Sequence, residues 1–326
     1  MTARRHHFVS QCYLKNFAGP HKKVPQIRVY DRVSKTAFRT GIDNVGAERD
    51  FNRFEAEGQQ PDAFENSMAG FEGELDGALG RIIATRSLSN DDDRAYLLNF
   101  MGLQALRNPR LREMMRSALE QTAKITMDLI LSSRESYERH VKATRAAGSV
   151  VPEVGYEEMK KFFNSEQYRV EANREAQIER EMQVFENTLP LLFRRGWRLL
   201  RAPGRSGGFI TSDHPFTLMW SDPKMRGGFY GPGLALPNTE IVFPISPALA
   251  VIGAFEIDNG EQDVNDVAVA SLNGATIAYA ERQVYALDRD FKYSMQYDEP
   301  LRTEADLMTD TRFLYRRAEP KSEPQE

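Results

Sequence analysis

The spacing of hydrophobic residues changes abruptly at Trp197, and this change constrains the fold more than any other feature of the chain. Between residues 61 and 195 the apolar residues recur at the spacing of an amphipathic helix. After Trp197 they form short runs separated by Gly and Pro, as strands do. Because strands, helices and strands follow one another in blocks, the sequence predicts an α+β fold and not a regular alternation of strand and helix.

An N-terminal helix and a β-hairpin precede the helical region. Residues 10–19 read "SQCYLKNFAG", in which Ser10 can cap the first amides and Gly19 can end the helix. Residues 26–41, "QIRVYDRVSKTAFRTG", alternate apolar and polar positions on both sides of a turn. Within the helical region Pro109 has no amide hydrogen, so the sequence predicts either a kink or a new helix there.

We expect one domain over residues 1–317. Its central part, residues 60–195, is predicted to be a bundle of long helices, and residues 196–317 a mostly antiparallel sheet. The last residues, "AEPKSEPQE" from 318 to 326, are polar and proline-containing, which predicts a disordered tail.

Composition argues against several classes of protein. The 326 residues carry a formal net charge of -4, whereas a protein that coats nucleic acid through charge alone is strongly basic. A local basic cleft is still compatible with this net charge. The single cysteine, Cys12, forms no internal disulfide, which fits a reducing cytosol. No apolar stretch is long enough to span a bilayer, and the N-terminus lacks the apolar core of a signal peptide. We therefore expect a cytoplasmic protein.

Two polar residues lie beside the buried stripe of a predicted helix in "NFMGLQALRNP". Gln104 and Arg107 are one turn apart, on or next to the face that carries Phe100 and Leu103. An arginine cannot lose its charge, so its burial requires an anionic partner. That partner can be a carboxylate of the chain, in a structural ion pair, or a phosphate or carboxylate of a ligand.

Three acidic residues are candidates to meet Arg107. Glu48 and Asp50 lie in "AERDFN", and Asp213 lies in "FITSDHPF", where a strand-like segment stops before a proline. Asp213 can close a turn or act as a catalytic carboxylate, since acids in loops after strands serve in both ways. The sequence does not decide between the two.

A pair of histidines, His6 and His7, stands near the start of the chain. Adjacent residues on a regular element point apart, so the two need not serve one site. Either could act as a general base near a buried arginine, or the pair could anchor the N-terminal segment. Cys12 is most simply a small core residue.

Ser212 and His214 flank Asp213. Ser212 is a weak candidate nucleophile because the Gly-x-Ser-x-Gly turn is missing, and His214 precedes a proline and is biased toward extended backbone. His6 or His7 could bind a metal together with Asp213 and His214. The His-x-x-x-His and His-Glu-x-x-His spacings of zinc sites are missing, however, so we predict no metal and no cofactor.

These stretches together resemble the uncharacterised, mainly bacterial family catalogued as domain of unknown function (DUF) 4238. "HHFVSQCYLKNF" is similar to the family's opening, His-His-aromatic-Val-Pro-Gln-aromatic-Tyr-Leu-basic-x-Phe, with Ser10 in place of the proline and Cys12 in place of an aromatic residue. The other matching motifs are "AERDFN", "LQALRNP", "FITSDHPF", "FPISP" and "LNGATIAYAERQVYA". The resemblance runs from residue 6 to residue 286, and the change at Cys12 counts against a catalytic thiol.

The resemblance implies no activity, but it groups the residues of one predicted site. In an enzyme hypothesis the chain is a phosphodiesterase or nuclease-like hydrolase, in which a histidine moves the proton and an arginine fork holds the phosphate. The catalytic residues are then His6, His7, Arg107 and Asp213. The substrate-binding residues are Gln11, Glu48, Asp50, Gln104, Ser212 and His214.

Two other hypotheses remain open. The chain could be a non-catalytic sensor that binds a nucleotide, a nucleic acid or a partner protein through the same cleft. Its charged helices between residues 110 and 193 could form a homo-oligomer or a partner surface, and the basic run around Trp197 could stack a base or simply surround a packed tryptophan. The site residues could also be purely structural. We expect no membrane partner, and the resemblance is compatible with a role in phage defence.

Overall fold

A computed structural model of the protein describes residues 5–49, 63–107, 109–151, 153–165, 168, 174–225, 230–296 and 299–315. The chain divides into two compact units, one of residues 1–108 and 181–326 and the other of residues 109–180. The single domain expected over residues 1–317 stays a prediction, and the expected tail at 318–326 lies outside the described residues. No helix in the described part of the chain is long and apolar enough to cross a membrane.

Helices dominate the middle of the chain, as predicted. They are α1 (Gln11–Leu14), α2 (Ala63–Thr85), α3 (Asp91–Leu106), α4 (Pro109–Ile130), α5 (Arg134–Ala146), α6 (Tyr156–Asn164), α7 (Arg174–Phe193), α8 (Asp266–Tyr279), α9 (Glu304–Leu307) and α10 (Thr311–Leu314). The Asn90 side chain caps α3 by accepting a hydrogen bond of 2.9 Å from the amide of Asp93. Pro109 begins a new helix, which was one of the two predicted alternatives.

Strands occur at both ends of the chain. They are β1 (Arg5–His7), β2 (Gln26–Asp31), β3 (Thr36–Gly41), β4 (Ala47–Arg49), β5 (Gly196–Arg201), β6 (Thr211–Ser212), β7 (Thr217–Trp220), β8 (Thr239–Ser246), β9 (Leu249–Ala254), β10 (Gly260–Asp263), β11 (Gln283–Ala286), β12 (Lys292–Tyr293) and β13 (Arg302–Thr303). The predicted N-terminal helix and hairpin are both present, as α1 and as β2–β3. Helices and sheets together confirm the predicted α+β class.

The predicted C-terminal sheet is divided: β12 and β13 pair with each other, and the other strands after residue 195 belong to two larger sheets. A five-stranded sheet has the order β10-β5-β9-β8-β7, and a four-stranded sheet has the order β3-β2-β11-β6. The second sheet combines the N-terminal hairpin with two C-terminal strands, so the two ends of the chain meet in one hydrogen-bonded layer. Pairing in both sheets is antiparallel except between β10 and β5.

The four-stranded sheet has a hydrophobic core on each face, because side chains alternate along its strands. Val29 and Tyr285 face a large core that also takes residues from α1, α2, α3 and the five-stranded sheet. Tyr30 and Val284, each one residue away along the chain, face a second core that includes Ile277 of α8. The sheet therefore separates an α1 side from an α8 side.

The predicted strand in "GGFITSD" is confined to β6 because two glycines before it turn the chain. Gly207 and Gly208 have φ angles of 76° and 81°. A Cβ atom on Gly207 would lie 1.9 Å from the carbonyl oxygen of Asp290, and one on Gly208 would lie 2.6 Å from that of Pro247. Extended pairing can begin only after this left-handed, closely packed turn.

Trp197 is part of the core and not a base-stacking platform. Its side chain is 2% exposed, and its indole Nε1 donates a hydrogen bond of 2.9 Å to the carbonyl oxygen of Leu192. A tryptophan with its ring and its donor both used inside the protein has no face left for a nucleic acid. The packed-tryptophan interpretation of the basic run is therefore confirmed.

Candidate functional site

The two N-terminal histidines point in different directions, as expected for neighbours in a strand. His6 is 3% exposed, whereas His7 is half-buried. β1 pairs with β4 in antiparallel register, which places His6 opposite Glu48 and His7 opposite Ala47. Of the pair, His7 is the residue that solvent can reach.

The protonation of the His7 ring follows from its contact with Gln11. His7 Nε2 lies 2.8 Å from the amide nitrogen of Gln11, at the first position of α1. In this amide orientation Gln11 donates and His7 Nε2 accepts, which assigns the proton of the neutral ring to Nδ1. Nδ1 is buried, whereas the Gln11 side chain belongs to an exposed residue. The Nε2 lone pair is therefore at the accessible edge of the ring.

Gln104 and Arg107 fasten the histidine segment to the end of α3. Gln104 donates a hydrogen bond of 3.1 Å from its amide to the carbonyl oxygen of Phe8. Arg107 donates one of 3.0 Å from Nη2 to the carbonyl oxygen of His7. Both side chains are buried, as predicted for this face of the helix. Arg107 thus holds a permanent positive charge next to the backbone of His7.

The acids expected near Arg107 have different placements. Glu48 is exposed in β4. Asp50 lies outside the described residues, so its predicted meeting with Arg107 stays a prediction. Asp213, the third candidate, binds the backbone of residues 281–283.

Asp213 binds the backbone that connects α8 to β11. Its Oδ1 accepts a hydrogen bond of 2.8 Å from the amide of Glu281, and its Oδ2 accepts bonds of 2.7 and 2.9 Å from those of Arg282 and Gln283. The residue is buried, with 7% of its surface exposed. Burial raises the pKa of Asp213 to about 6, because desolvation of the carboxylate outweighs the three backbone hydrogen bonds. These contacts are those of a residue that closes a turn.

Ser212 and His214 complete this turn. Ser212 is fully buried, and its hydroxyl oxygen accepts a hydrogen bond of 3.1 Å from the amide of His214. The His214 ring is partly buried, with Nδ1 3.9 Å from a carboxylate oxygen of Glu281 and its centroid 6.2 Å from that of the Tyr279 ring. The Ser212 hydroxyl is thus engaged within the turn itself.

Tyr285 connects the histidine segment with Asp213. Its hydroxyl accepts a hydrogen bond from the amide of Gly46 and donates one of 2.9 Å to the side-chain oxygen of Gln283. The carbonyl oxygen of Gly46 in turn accepts from the amide of Phe8 at 2.8 Å. The amide of Gln283 donates to Asp213. One hydrogen-bonded network therefore runs from the N-terminal segment, through the four-stranded sheet, to Asp213.

Sequence reasoning missed Gln283 and Tyr285, two members of this network. The segment "RQVYAL" contains the strand β11, in which Gln283 and Tyr285 are two residues apart and so share one face. The Gln283 amide also donates a hydrogen bond of 2.8 Å to Asp31 in β2. A glutamine within an otherwise apolar strand was the available signal.

Replacing Tyr285 with Phe is expected to lower the free energy of unfolding by about 1–3 kcal/mol, the cost of leaving buried polar groups without a partner. The ring would keep its packing, but the Gly46 amide and the Gln283 oxygen would lose the hydroxyl. Urea unfolding followed by circular dichroism measures the change. The control is Tyr315→Phe, at a 62% exposed position, with an expected change within about 0.5 kcal/mol. Equal losses in both variants would contradict the network.

The Cys12 thiol is partly buried and lies against Ser10. The Cys12 sulfur lies 3.0 Å from the Ser10 hydroxyl, and burial raises the pKa of the thiol to about 11. The thiol is therefore protonated near neutral pH, which disfavours it as a nucleophile. No cluster of three His, Cys, Asp or Glu residues suited to a metal ion occurs in the part of the chain that the structure describes.

Comparisons with known proteins identify the family to which the chain belongs. The family model described as "Protein of unknown function (DUF4238)" matches residues 5–290. No curated protein and no solved structure matches the chain. The family match covers most of the chain and includes all the candidate site residues, from His6 to His214. The chain therefore belongs to the DUF4238 family.

Proposed function

We propose that this protein is a metal-independent phosphodiesterase or nuclease-like hydrolase, acting on a nucleotide or a nucleic acid, with His7 as its general base. The observation that carries the proposal is the His7 ring, whose Nε2 lone pair lies at the accessible edge, 2.8 Å from the exposed amide of Gln11. Arg107 is bonded to the carbonyl oxygen of the same residue. A base beside a fixed positive charge suits attack on a phosphodiester.

In the proposed reaction a water molecule replaces the Gln11 amide and gives a proton to His7 Nε2. The water oxygen forms a bond to phosphorus as the bond from phosphorus to the leaving oxygen breaks. The leaving oxygen takes up that proton from the imidazolium, which restores the neutral ring. The charge of Arg107 stabilises the negative charge that grows on the phosphoryl oxygens.

We assign the other predicted site residues to positioning. Gln104 holds the Phe8 carbonyl, and Asp213 acts on His7 through Gln283, Tyr285 and Gly46. These contacts support a rigid placement of the β1 segment. The direct roles expected for His6 and Asp213 in catalysis, and for Gln104, Glu48, Asp50, Ser212 and His214 in substrate binding, remain predictions.

A non-catalytic sensor is the second candidate. The observation that favours it is that all three buried side chains bind the backbone. Gln104 and Arg107 donate hydrogen bonds to carbonyl oxygens, and Asp213 accepts them from amides. Such hydrogen bonds make a binding surface rigid, which favours recognition of a ligand without requiring a chemical step. The ligand would again be a nucleotide, a nucleic acid or a partner protein.

The test uses two substrates, bis(p-nitrophenyl) phosphate and a fluorescently labelled single-stranded oligonucleotide, with EDTA present throughout. We expect hydrolysis that EDTA does not abolish. Saturable oligonucleotide binding without turnover would support the sensor in place of the hydrolase. If the protein neither hydrolyses nor binds these substrates, both candidates are contradicted.

The proposal also includes a location in the cytoplasm, a bacterial origin and a role in phage defence. It further includes a homo-oligomer formed through the helices between residues 110 and 193. They rest on the single cysteine, on the resemblance and on the charged character of these helices. Size-exclusion chromatography with light scattering tests the oligomer independently of activity.

A further inference from the structure

Two arginines occupy directly opposed positions in the ribbon that β1 forms with β4, next to the proposed general base. The antiparallel register places Arg5 opposite Arg49 and His7 opposite Ala47. Positions two residues apart in a strand share a face, so Arg5, Arg49 and His7 belong to one face of the ribbon. Because an arginine keeps its charge at any physiological pH, this face carries two permanent positive charges.

The opposition of these charges calls for an anion, because like charges directly opposite each other in a sheet destabilise it. Opposed residues of an antiparallel pair have Cα atoms only about 4.5–5.5 Å apart. Glu48 is the only acidic residue of β1 and β4, and its register position opposite His6 places it on the other face. Neither strand of the ribbon therefore supplies an acid to the face that carries the arginines.

A second cross-strand arginine pair shows how the chain neutralises such an opposition. Arg28 of β2 is in register with Arg39 of β3. Arg39 Nη2 lies 2.7 Å from a carboxylate oxygen of Asp288, and Arg28 Nε lies 3.5 Å from one of Glu304. Each of these arginines thus has a carboxylate from a distant segment of the chain. In the β1–β4 ribbon the arginine pair shares its face with the proposed phosphodiester site, so the substrate itself can supply the anion.

We propose that the β1–β4 ribbon binds a nucleic-acid strand and not a mononucleotide, with the phosphate next to the scissile one bound by Arg5 and Arg49. Arg5 is about 7 Å from His7 along the strand, a separation that one nucleotide of an extended strand spans. Ala47, opposite His7, has a small side chain and so leaves space for the scissile phosphate. The position of the scissile phosphate rests on the proposed function, whereas phosphate binding by the ribbon needs no turnover.

The salt dependence of oligonucleotide binding tests the ribbon. Fluorescence anisotropy is measured with a labelled single-stranded phosphorothioate oligonucleotide, in DNA and RNA forms, over a series of salt concentrations. In Arg5→Gln/Arg49→Gln we expect the slope of log Kobs against log[salt] to become shallower by about 0.7–1.4, the effect of one or two phosphate contacts. The affinity at low salt should fall roughly tenfold. Arg5→Lys/Arg49→Lys should retain most of the slope, because lysine keeps the charge that displaces counterions.

Arg39→Gln is the matched control, since Arg39 belongs to the other cross-strand pair and binds Asp288. Its slope should equal that of the wild type. Thermal melts detect a folding defect: the Gln double variant should melt at or above the wild-type temperature, because a like-charge opposition is removed. An unchanged slope in the Gln double variant, or an equal change in Arg39→Gln, would overturn the proposal.

The outcomes separate this proposal from the hydrolase. Hydrolysis of bis(p-nitrophenyl) phosphate by the wild type, together with an unchanged slope in the Gln double variant, would overturn the ribbon and keep the hydrolase. A shallower slope without any hydrolysis by the wild type would support the ribbon as a binding surface and overturn the hydrolase. Tighter binding of poly-L-glutamate than of the oligonucleotide, at equal concentrations of charge, would overturn nucleic acid as the occupant.

Discussion

Replacing Asp213 with Asn should lower the free energy of unfolding by about 2–4 kcal/mol at pH 7, because three backbone amides then share a single acceptor oxygen. Asn keeps the shape of the side chain, but its amide nitrogen would face the amide of Glu281, donor against donor. The site is buried, so water cannot replace the lost acceptor. Urea unfolding of the two proteins measures the loss.

The pH dependence of this loss has a defined sign. The folded pKa of Asp213, about 6, lies above its ordinary value of 3.8. The folded protein therefore binds this proton more tightly than the unfolded chain, so the contribution of Asp213 to stability falls as the pH rises from 4 through 6. The difference in unfolding free energy between the wild type and Asp213→Asn should be larger at pH 5 than at pH 8. A difference that grows with pH would contradict this account.

Asp222 offers a matched control for Asp213. Its carboxylate accepts one backbone hydrogen bond of 2.9 Å, from the amide of Lys224, at an exposed position. Asp222→Asn should therefore change the free energy of unfolding by less than about 1 kcal/mol, since water can satisfy whatever the side chain loses. If both variants lose the same stability, the Asp213 turn has no special importance.

Replacing His7 with Gln should reduce kcat/KM for phosphodiester hydrolysis by about 100-fold to 10,000-fold, the usual contribution of a general base. Glutamine is polar and can occupy the same place in β1, but it cannot take a proton from water. Its effect on folding should be small because the backbone carbonyl that binds Arg107 is retained. Initial rates in EDTA and a thermal melt of each protein measure the two effects.

His21 provides the control for this substitution, since it is exposed and lies in the segment between α1 and β2. His21→Gln should keep the wild-type rate. Full activity in His7→Gln would remove the general base from the mechanism. A loss of activity that follows a loss of folding would make His7 a structural residue.

The fold could be predicted where local chemistry determines it. Pro109 lacks an amide hydrogen and begins α4, one of the two predicted alternatives, and the alternating residues of β2 and β3 form the expected hairpin. The union of that hairpin with β11 was not predictable in the same way, because the strands are some 250 residues apart and no local pattern encodes their pairing. The sequence therefore predicts one C-terminal sheet, whereas the strands after residue 195 are divided among three.

The candidate site shows the same limit. Burial of Gln104 and Arg107 followed from their predicted place beside the apolar stripe at the end of α3, and the different directions of His6 and His7 followed from strand geometry. The partners of these residues did not follow, because backbone carbonyls and amides carry no sequence signal. Tyr285 was missed for this reason: its hydroxyl binds the Gly46 amide, which any residue at that position would offer.

The most direct test of the account is the tautomer and ligand response of the His7 ring. Long-range ¹H–¹⁵N spectra of the five histidines, assigned with His7→Gln, distinguish the two nitrogens of each ring. At pH 8 the account predicts a neutral His7 with its proton on Nδ1, and a shift of the Nε2 signal when a slowly hydrolysed dinucleoside phosphorothioate is added. A proton on Nε2, or an Nε2 signal that this phosphodiester leaves unchanged, would contradict it.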